Sequence, residues 1–351
     1  MYELNAKLRG LAAYTPVDNT GCVRLDANES FVEPPRALLD AMKAVLEETA
    51  FNRYPDPAAG ALCRAFANYY GVEPGHVTAG NGSDELISVI FQAFLQRGEA
   101  FATLEPDFSM YAQGGLLAEG RHIPITKRDW RIDVDETLEL CQKERVRLLI
   151  FSNPCNPTSL VLGKEAVRRL VRGTDALVVL DEAYMDFSGQ SLLGEEGDFD
   201  NLIILRTCSK AIGMAALRLG FAVAGEGLTR ALRAAKSPYN VGSIPQAIGT
   251  AVLGRPALLQ GALGEILASR RALLAGLGAL QAAVPGRFRV LEGEANFAAL
   301  VMKDACEVQK TLLKQGIAVR YTGGLLRVSC GKPGDNKGFL EAFRKVLEGK
   351  I

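Results

Sequence analysis

The sequence predicts an α/β protein with a mainly parallel sheet covered by helices, followed by a smaller α+β unit. Three observations predict it. Short apolar runs alternate with helical patterns, and the runs are apolar on both faces, as strands buried between helix layers must be. After SPYNVGSIPQ the alternation gives way to one long helical stretch and a second set of strands. The chain has 351 residues, more than a single core usually organises, which favours two lobes.

In chain order, AFATLEP, RLLIFSNP, ALVVLDEAY, NLIILRT and LGFAVAG are expected as strands, with helices near 83–96, 107–117 and 163–172 between them. Residues from about Ile244 to Ala283 are rich in Ala, Leu and Gly and read as helix. FRVLE, NFAALVM, GIAVR and LLRVSC read as strands of the smaller unit, and a closing helix begins near Asn336. The lobes are expected to share a helix and to close over a cleft.

Composition excludes several classes of function. Lys plus Arg and Asp plus Glu both total 40 with no long run of one sign, so neither nucleic acid nor an anionic membrane surface is an expected partner. MYELNAKLRG lacks the apolar core of a secretion signal, and no later segment has the uninterrupted apolar run of a membrane span, which points to the cytoplasm. The seven cysteines lack C-x-x-C spacing and read as reduced, small buried side chains. His76 and His122 are the only histidines, so neither a histidine metal site nor a Ser-His-Asp triad is expected, and no metal is.

In an open α/β sheet, ligands sit beyond the carboxyl ends of the strands. Four polar stretches lie at such positions: SNPCNPT, DEAY, TCSK and the GNGSDE that precedes the helix at Leu86. Lys210 has no charged neighbour between Arg206 and Arg218, which a solubilising lysine usually has. Asp181 and Glu182 end a wholly apolar strand, where an ionised carboxylate is costly unless it meets a cation or a protonated ring. Ser83, Asp84 and Glu85 follow two glycines at an expected helix start, which suits an anion but also an ordinary N-cap. Asn153, Asn156 and Thr158 read equally well as turn residues. Together these pieces describe a pocket for an aromatic, phosphorylated aldehyde, namely pyridoxal 5'-phosphate: a lysine for the aldehyde, a carboxylate for the ring nitrogen, an amide and a phenol for the ring hydroxyl, and a helix start for the phosphate.

The chain also resembles the fold-type I pyridoxal-phosphate aminotransferases, and among them the histidinol-phosphate aminotransferases. The resemblance runs in order through YTPV, LDANES, RYPD, GNGSDE, EPDFSMY, SNPCNPT, DEAY, TCSK, LRLGFA, PYNV, EANF and LLRVSCG. It implies a seven-stranded-type sheet in a large domain of residues 31–243 and a small domain of residues 244–351 that includes the interdomain helix. Residues 1–30 would form an arm packing with the small domain and the dimer partner. Lys210 would carry the cofactor and shuttle the proton, and Asp181 would hold the ring nitrogen's proton. Asn156 and Tyr184 would bind the ring oxygen, and Phe108 would stack on the ring. Phosphate would be held by the Ser83 and Asp84 amides, the Thr207 and Ser209 hydroxyls, Arg218, and Tyr54 from the neighbouring subunit of a homodimer.

Substrate would meet Tyr14, Asn28, Tyr54, Asn156, Arg320 and Arg327, the last binding its acidic end. The implied reaction is transamination between the pair L-glutamate and 2-oxoglutarate and the pair histidinol phosphate and imidazole-acetol phosphate, a step of histidine biosynthesis. An aromatic amino-acid aminotransferase or a decarboxylase of the threonine-phosphate type is the alternative, and an inactive binding protein of this fold is a third reading that the presence of both Lys210 and Asp181 opposes. Two departures stand out: Ser159 replaces a glycine of the family's pattern and must take that glycine's backbone geometry, and Phe108 lacks a hydroxyl. The segment between Arg320 and Arg327 is also short.

Overall fold

The computed structural model of the protein describes residues 2–9, 11, 13 and 18–350. Seven strands form the main sheet in the order Val77–Gly80, Gly220–Ala224, Leu202–Thr207, Leu177–Asp181, Val146–Ser152, Ala100–Glu105 and Arg121–Thr126. All run parallel except Gly220–Ala224, which is antiparallel to both its neighbours. The reason is covalent: the connection 208–219 holds only a short 3-10 turn, and a parallel return would need a full crossover. Thr207 and Gly220 therefore face each other in register, and the connection starts and ends at the same place on the sheet.

The five apolar runs form strands as expected, and the central Leu202–Thr207 and Gly220–Ala224 are buried along their whole length. Two strands escaped the apolar-run criterion. Val77–Gly80 has only 4 residues, and Arg121–Thr126 is an edge strand, half solvated and with Pro124 in it, so its pattern is polar. The helix Ser83–Phe94 buries Leu86, Ile87, Ile90 and Phe91 against the sheet, and its acidic Asp84 and Glu85 complement the N-terminal dipole.

The expected 244–283 helix is two helices, Ser243–Leu253 and Pro256–Ala283, because Gly254 ends the first and Pro256 starts the second. The longer one serves two cores. Leu259 packs with Leu62, Phe66 and Phe221, while Leu273, Leu277 and Leu280 pack with Leu326, Phe339 and Phe343. The second core also takes in Leu25 and covers a four-stranded antiparallel sheet ordered Arg320–Thr322, Leu325–Ser329, Phe297–Val301 and Arg289–Leu291. GIAVR is not one strand. Ile317–Ala318 pairs in parallel with Val23–Arg24, and Arg320–Thr322 pairs with Leu325–Ser329. The closing helix is Pro333–Leu347, starting earlier than expected because Pro333 suits its first position and the Asp335 carboxylate accepts the Lys332 amide.

Candidate active site

The main sheet delivers its chemistry to one edge. Gly80, Glu105, Ser152, Asp181 and Thr207 end their strands there, and Gly220 begins its strand there. Lys210 lies in the 208–219 connection, half-buried, forms no ion pair among the described residues, and donates from Nζ to the Ala27 carbonyl at 3.1 Å. The same Nζ lies 5.7 Å from the centre of the Tyr184 ring.

An anion cradle forms where this connection meets the helix at Ser83. A Cβ on Gly220 would lie 2.3 Å from the Ser83 nitrogen, so only glycine lets the strand come this close to the helix start. Gly82 has φ +83°, and a Cβ there would lie 2.9 Å from Arg218 Nη2. The first amides of the helix have no intrahelical acceptor, and Arg218 hangs over them, tied to Asp84 Oδ2 at 3.1 Å. Thr207 Oγ1 and Ser209 Oγ lie 3.0 Å apart beside it. Helix amides, two hydroxyls and a guanidinium fit a phosphate monoester.

Asp181 is buried, and its carboxylate accepts from Tyr111 Oη at 2.7 Å and from the Ala183 amide at 3.0 Å. It forms no ion pair among the described residues. Burial therefore pushes its carboxyl up to about 6, against the pull of those two donors, with the Asp107 and Asp84 charges adding to the rise. A carboxylate left in this state suits a protonated ring nitrogen, which would supply the missing cation. The pair of features, a glycine-walled anion cradle and an uncompensated buried carboxylate with a lysine between their loops, fits pyridoxal phosphate.

Four of the other predicted residues enter a polar network in two parts, Asn28 with Tyr184 and Asn156 with Arg327. Asn28 Nδ2 donates to Tyr184 Oη at 3.0 Å, and Ser329 Oγ donates to Asn28 Oδ1 at 3.0 Å. Arg327 Nη1 donates to Asn156 Oδ1 at 2.6 Å and its Nη2 to the Asp26 carbonyl at 2.6 Å. Arg320 is the direct cross-strand partner of Arg327. Phe108 is half-buried with its ring edge-on to Tyr111, 5.5 Å between centres. Tyr54 is 82% exposed and stacks on Tyr239 at 4.6 Å, with no contact to the network above among the described residues. Tyr14 lies outside the described residues.

Ser159 takes the glycine-like geometry, at φ +64°, and its Oγ accepts the Ala295 amide at 2.9 Å. Glu182 points away from the site, to Arg206 at 3.1 Å, Ser191 Oγ at 2.6 Å and the Leu192 amide at 3.0 Å. A groove of about 980 Å³ between Pro256–Ala283 and Pro333–Leu347 shares no residue with the site, so size alone does not mark it.

Sequence reasoning missed the groups beneath the site. Tyr111 stands three residues beyond Phe108 in EPDFSMY, a helical spacing that could have flagged it. Asp107, fully buried, accepts from Ser152 Oγ, from the Phe108 amide at 2.8 Å and from Lys127 Nζ at 3.4 Å. Ser152 Oγ in turn accepts the Asn156 amide at 2.9 Å, so one carboxylate braces both Phe108 and Asn156. Burial alone would lower Lys127; Asp107 and Cys155 outweigh it and hold the ammonium above its usual value.

Comparison with known proteins gives the family and the fold. A histidinol-phosphate aminotransferase of Clostridium kluyveri is 37% identical over 332 residues, 93% of this chain and 93% of that one. The crystal structure of histidinol-phosphate aminotransferase from Sinorhizobium meliloti in complex with pyridoxal-5'-phosphate matches with a TM-score of 0.89 at 23% identity, over 100% of this chain and 99% of that one. Thermus thermophilus aspartate aminotransferase with maleate matches with a TM-score of 0.81 at 21% identity, over 99% of this chain and 100% of that one, so the fold by itself does not separate the two substrates. The family description aminotransferase class I and II fits residues 20–343, a span that holds the lysine, the buried carboxylate and the anion cradle together, and the chain belongs to that family.

Proposed function

We propose that the protein moves an amino group between the pair L-glutamate and 2-oxoglutarate and the pair histidinol phosphate and imidazole-acetol phosphate, with pyridoxal 5'-phosphate as cofactor, in histidine biosynthesis in the cytoplasm. The observation that carries the substrate choice is the facing of Arg320 and Arg327 across an antiparallel pair. Directly opposed residues share one face of a sheet, and like charges so placed are destabilising. A phosphate dianion relieves that repulsion more than a carboxylate does. The 37% identity to a histidinol-phosphate aminotransferase supports the same choice.

When bound, the cofactor supplies an aldehyde carbon that takes an amino group and a pyridinium ring that withdraws electrons from the carbon attached to it. The chain's residues do the rest. Asp181 would hold the ring nitrogen's proton, since among the described residues it forms no ion pair. Tyr184 Oη already accepts from Asn28, so its own proton is directed outward to the ring oxygen. Asn156 gives its oxygen to Arg327, which leaves Nδ2 to donate to the same ring oxygen. The residue that fixes the substrate's acidic end thus also sets the orientation of a cofactor contact. Lys210 Nζ, on the accessible side of the site, moves the proton from the substrate carbon. Ser83, Asp84, Thr207, Ser209 and Arg218 hold the phosphate, and Phe108 covers one ring face.

The reading includes a homodimer. The stacked Tyr54 and Tyr239 are both exposed, and a second copy covering them would bring the partner subunit's Tyr54 to the phosphate. Among the described residues no helix is long and apolar enough to cross a membrane. The test is steady-state kinetics with histidinol phosphate, phenylalanine, tyrosine and aspartate as donors to 2-oxoglutarate. A preference for phenylalanine or tyrosine that survives Arg320→Ala would replace the phosphate reading with a general aromatic aminotransferase. Carbon dioxide release without consumption of 2-oxoglutarate would replace it with a decarboxylase.

A further inference from the structure

Tyr111 is almost wholly buried at 1% exposure, and among the described residues its hydroxyl has one hydrogen-bond partner, Asp181 Oδ2 at 2.7 Å. The ring belongs to the apolar cluster that holds Phe91 and Phe101 and meets Phe108 edge-on. A buried phenol usually finds a hydrogen-bond partner. Here the chain supplies the carboxylate of the site.

We propose that Tyr111 is a positioning residue for Asp181: its proton fixes the carboxylate's rotation and draws off part of its charge, so that Asp181 holds a ring-nitrogen proton on the ring and does not take it. The inference rests on the pyridoxal-phosphate reading above. An ionised carboxylate has about four lone-pair directions. Tyr111 and the Ala183 amide use one on each oxygen, and the others remain for the cofactor.

The distribution of charge around the carboxylate makes this donor matter. Asp107 and Asp84 both make Asp181 more basic, and their own cations, Lys127 and Arg218, pair with them and not with Asp181. Burial acts in the same direction. Only the two hydrogen-bond donors oppose, and Tyr111 is the larger of them. Without it Asp181 becomes a stronger base, and the proton that makes the ring an electron sink shifts toward the carboxylate. The phenol itself stays protonated, because burial and the Asp181 charge hold it well above its ordinary value.

The experiment uses holoenzyme carrying pyridoxal phosphate labelled at the ring nitrogen, with the nitrogen shift read by NMR alongside kcat, in wild type and Tyr111→Phe. The substitution keeps the ring and removes only the hydroxyl. The expected result is a nitrogen shift displaced toward neutral pyridine and a kcat lower by roughly tenfold, the loss typical of one hydrogen bond to a charged group. Should Tyr111→Phe fail to fold, difluorotyrosine at position 111 keeps the hydroxyl and donates more strongly, and the nitrogen shift then moves toward full protonation. An unchanged nitrogen shift in either variant, with wild-type kcat, overturns the proposal and leaves the cofactor reading standing. A wild-type protein that takes up no pyridoxal phosphate overturns both.

Discussion

Asp181 and Glu182 are adjacent, both buried and both carboxylates, yet they live in opposite circumstances. Successive side chains of a strand point to opposite faces, so one residue looks into the site and the other into the scaffold. Glu182 meets Arg206, Ser191 and the Leu192 amide, and Arg206 is further held by Asp186 at 3.0 Å and lies over the Tyr70 ring at 4.9 Å. Burial opposes charge on Arg206, but Asp186 and Glu182 outweigh it and keep the guanidinium above its usual value; burial raises the Glu182 carboxyl too, with Arg206, Ser191 and the Leu192 amide pulling against it. Among the described residues Asp181 has two hydrogen-bond donors and no cation. The difference teaches that burial of a charge is not itself the sign of function; a missing counter-charge is.

The contrast can be broken most directly at Glu182. Glu182→Ala leaves Arg206 half-compensated and strands the Ser191 hydroxyl and the Leu192 amide. Unfolding in denaturant is expected to show a loss of about 3–5 kcal/mol. A loss below about 1 kcal/mol, the ordinary size for a point substitution, would mean the pair is not structural.

Asp181→Asn should do the opposite to stability and much more to activity. With cofactor bound, the barrier is expected to rise by about 2–4 kcal/mol, measured as kcat, because an amide cannot hold the ring proton. In the apoprotein the burial-raised carboxyl, at about 6, lies above its unfolded value near 4. Between these values the unfolded chain has released the proton and the folded chain keeps it, so wild-type stability falls as pH rises through that window and stays lowered above it. Asparagine removes this dependence. The variant apoprotein should therefore gain about 2–3 kcal/mol at pH 8 and nothing at pH 4. Equal unfolding midpoints at both pH values would contradict the uncompensated state of Asp181.

The facing arginines extend the tests to the substrate. Arg327→Ala is expected to lower kcat/KM in both half-reactions by roughly a hundredfold, as for a lost charged contact of about 2–3 kcal/mol. Arg320→Ala should cost histidinol phosphate about tenfold and glutamate much less. Equal losses for both substrates would remove the argument for a phosphate-selective pair.

The smallest effect belongs to Ser159. Glycine there relieves a left-handed backbone but loses the bond to the Ala295 amide, two terms of about 1 kcal/mol each with opposite sign. Ser159→Gly should shift stability by less than about 1 kcal/mol. A larger loss would show that the Ser159 hydroxyl is what joins the Cys155–Leu160 turn to the segment at Glu294.

Much of this was open to reading from the chain. Runs apolar on both faces identify strands covered on both sides, since only those strands bury every side chain, and the polar residues that end such runs had to be either paired or functional. That reasoning singled out Lys210 and Asp181; the helix start at Ser83 was marked by its glycines, and Asn156 gained a role only through the family resemblance. The strands it missed, Val77–Gly80 and Arg121–Thr126, are the sheet's two outermost, one very short and the other exposed, where the apolar signal fades.

What the sequence by itself determined was the kind of layer each segment enters, because local periodicity records which faces are buried. It also determined the glycines at 82 and 220, without which strand and helix could not approach. Which of Asp181 and Glu182 faces the site, that Tyr111 donates to one of them across 70 positions, that Asn28 reaches Tyr184 across 156, and that Arg320 and Arg327 stand opposite each other were decided only by the tertiary structure. The physical reason is that a counter-charge or a hydrogen-bond partner is a property of two segments brought together, and no local pattern in either segment records the other.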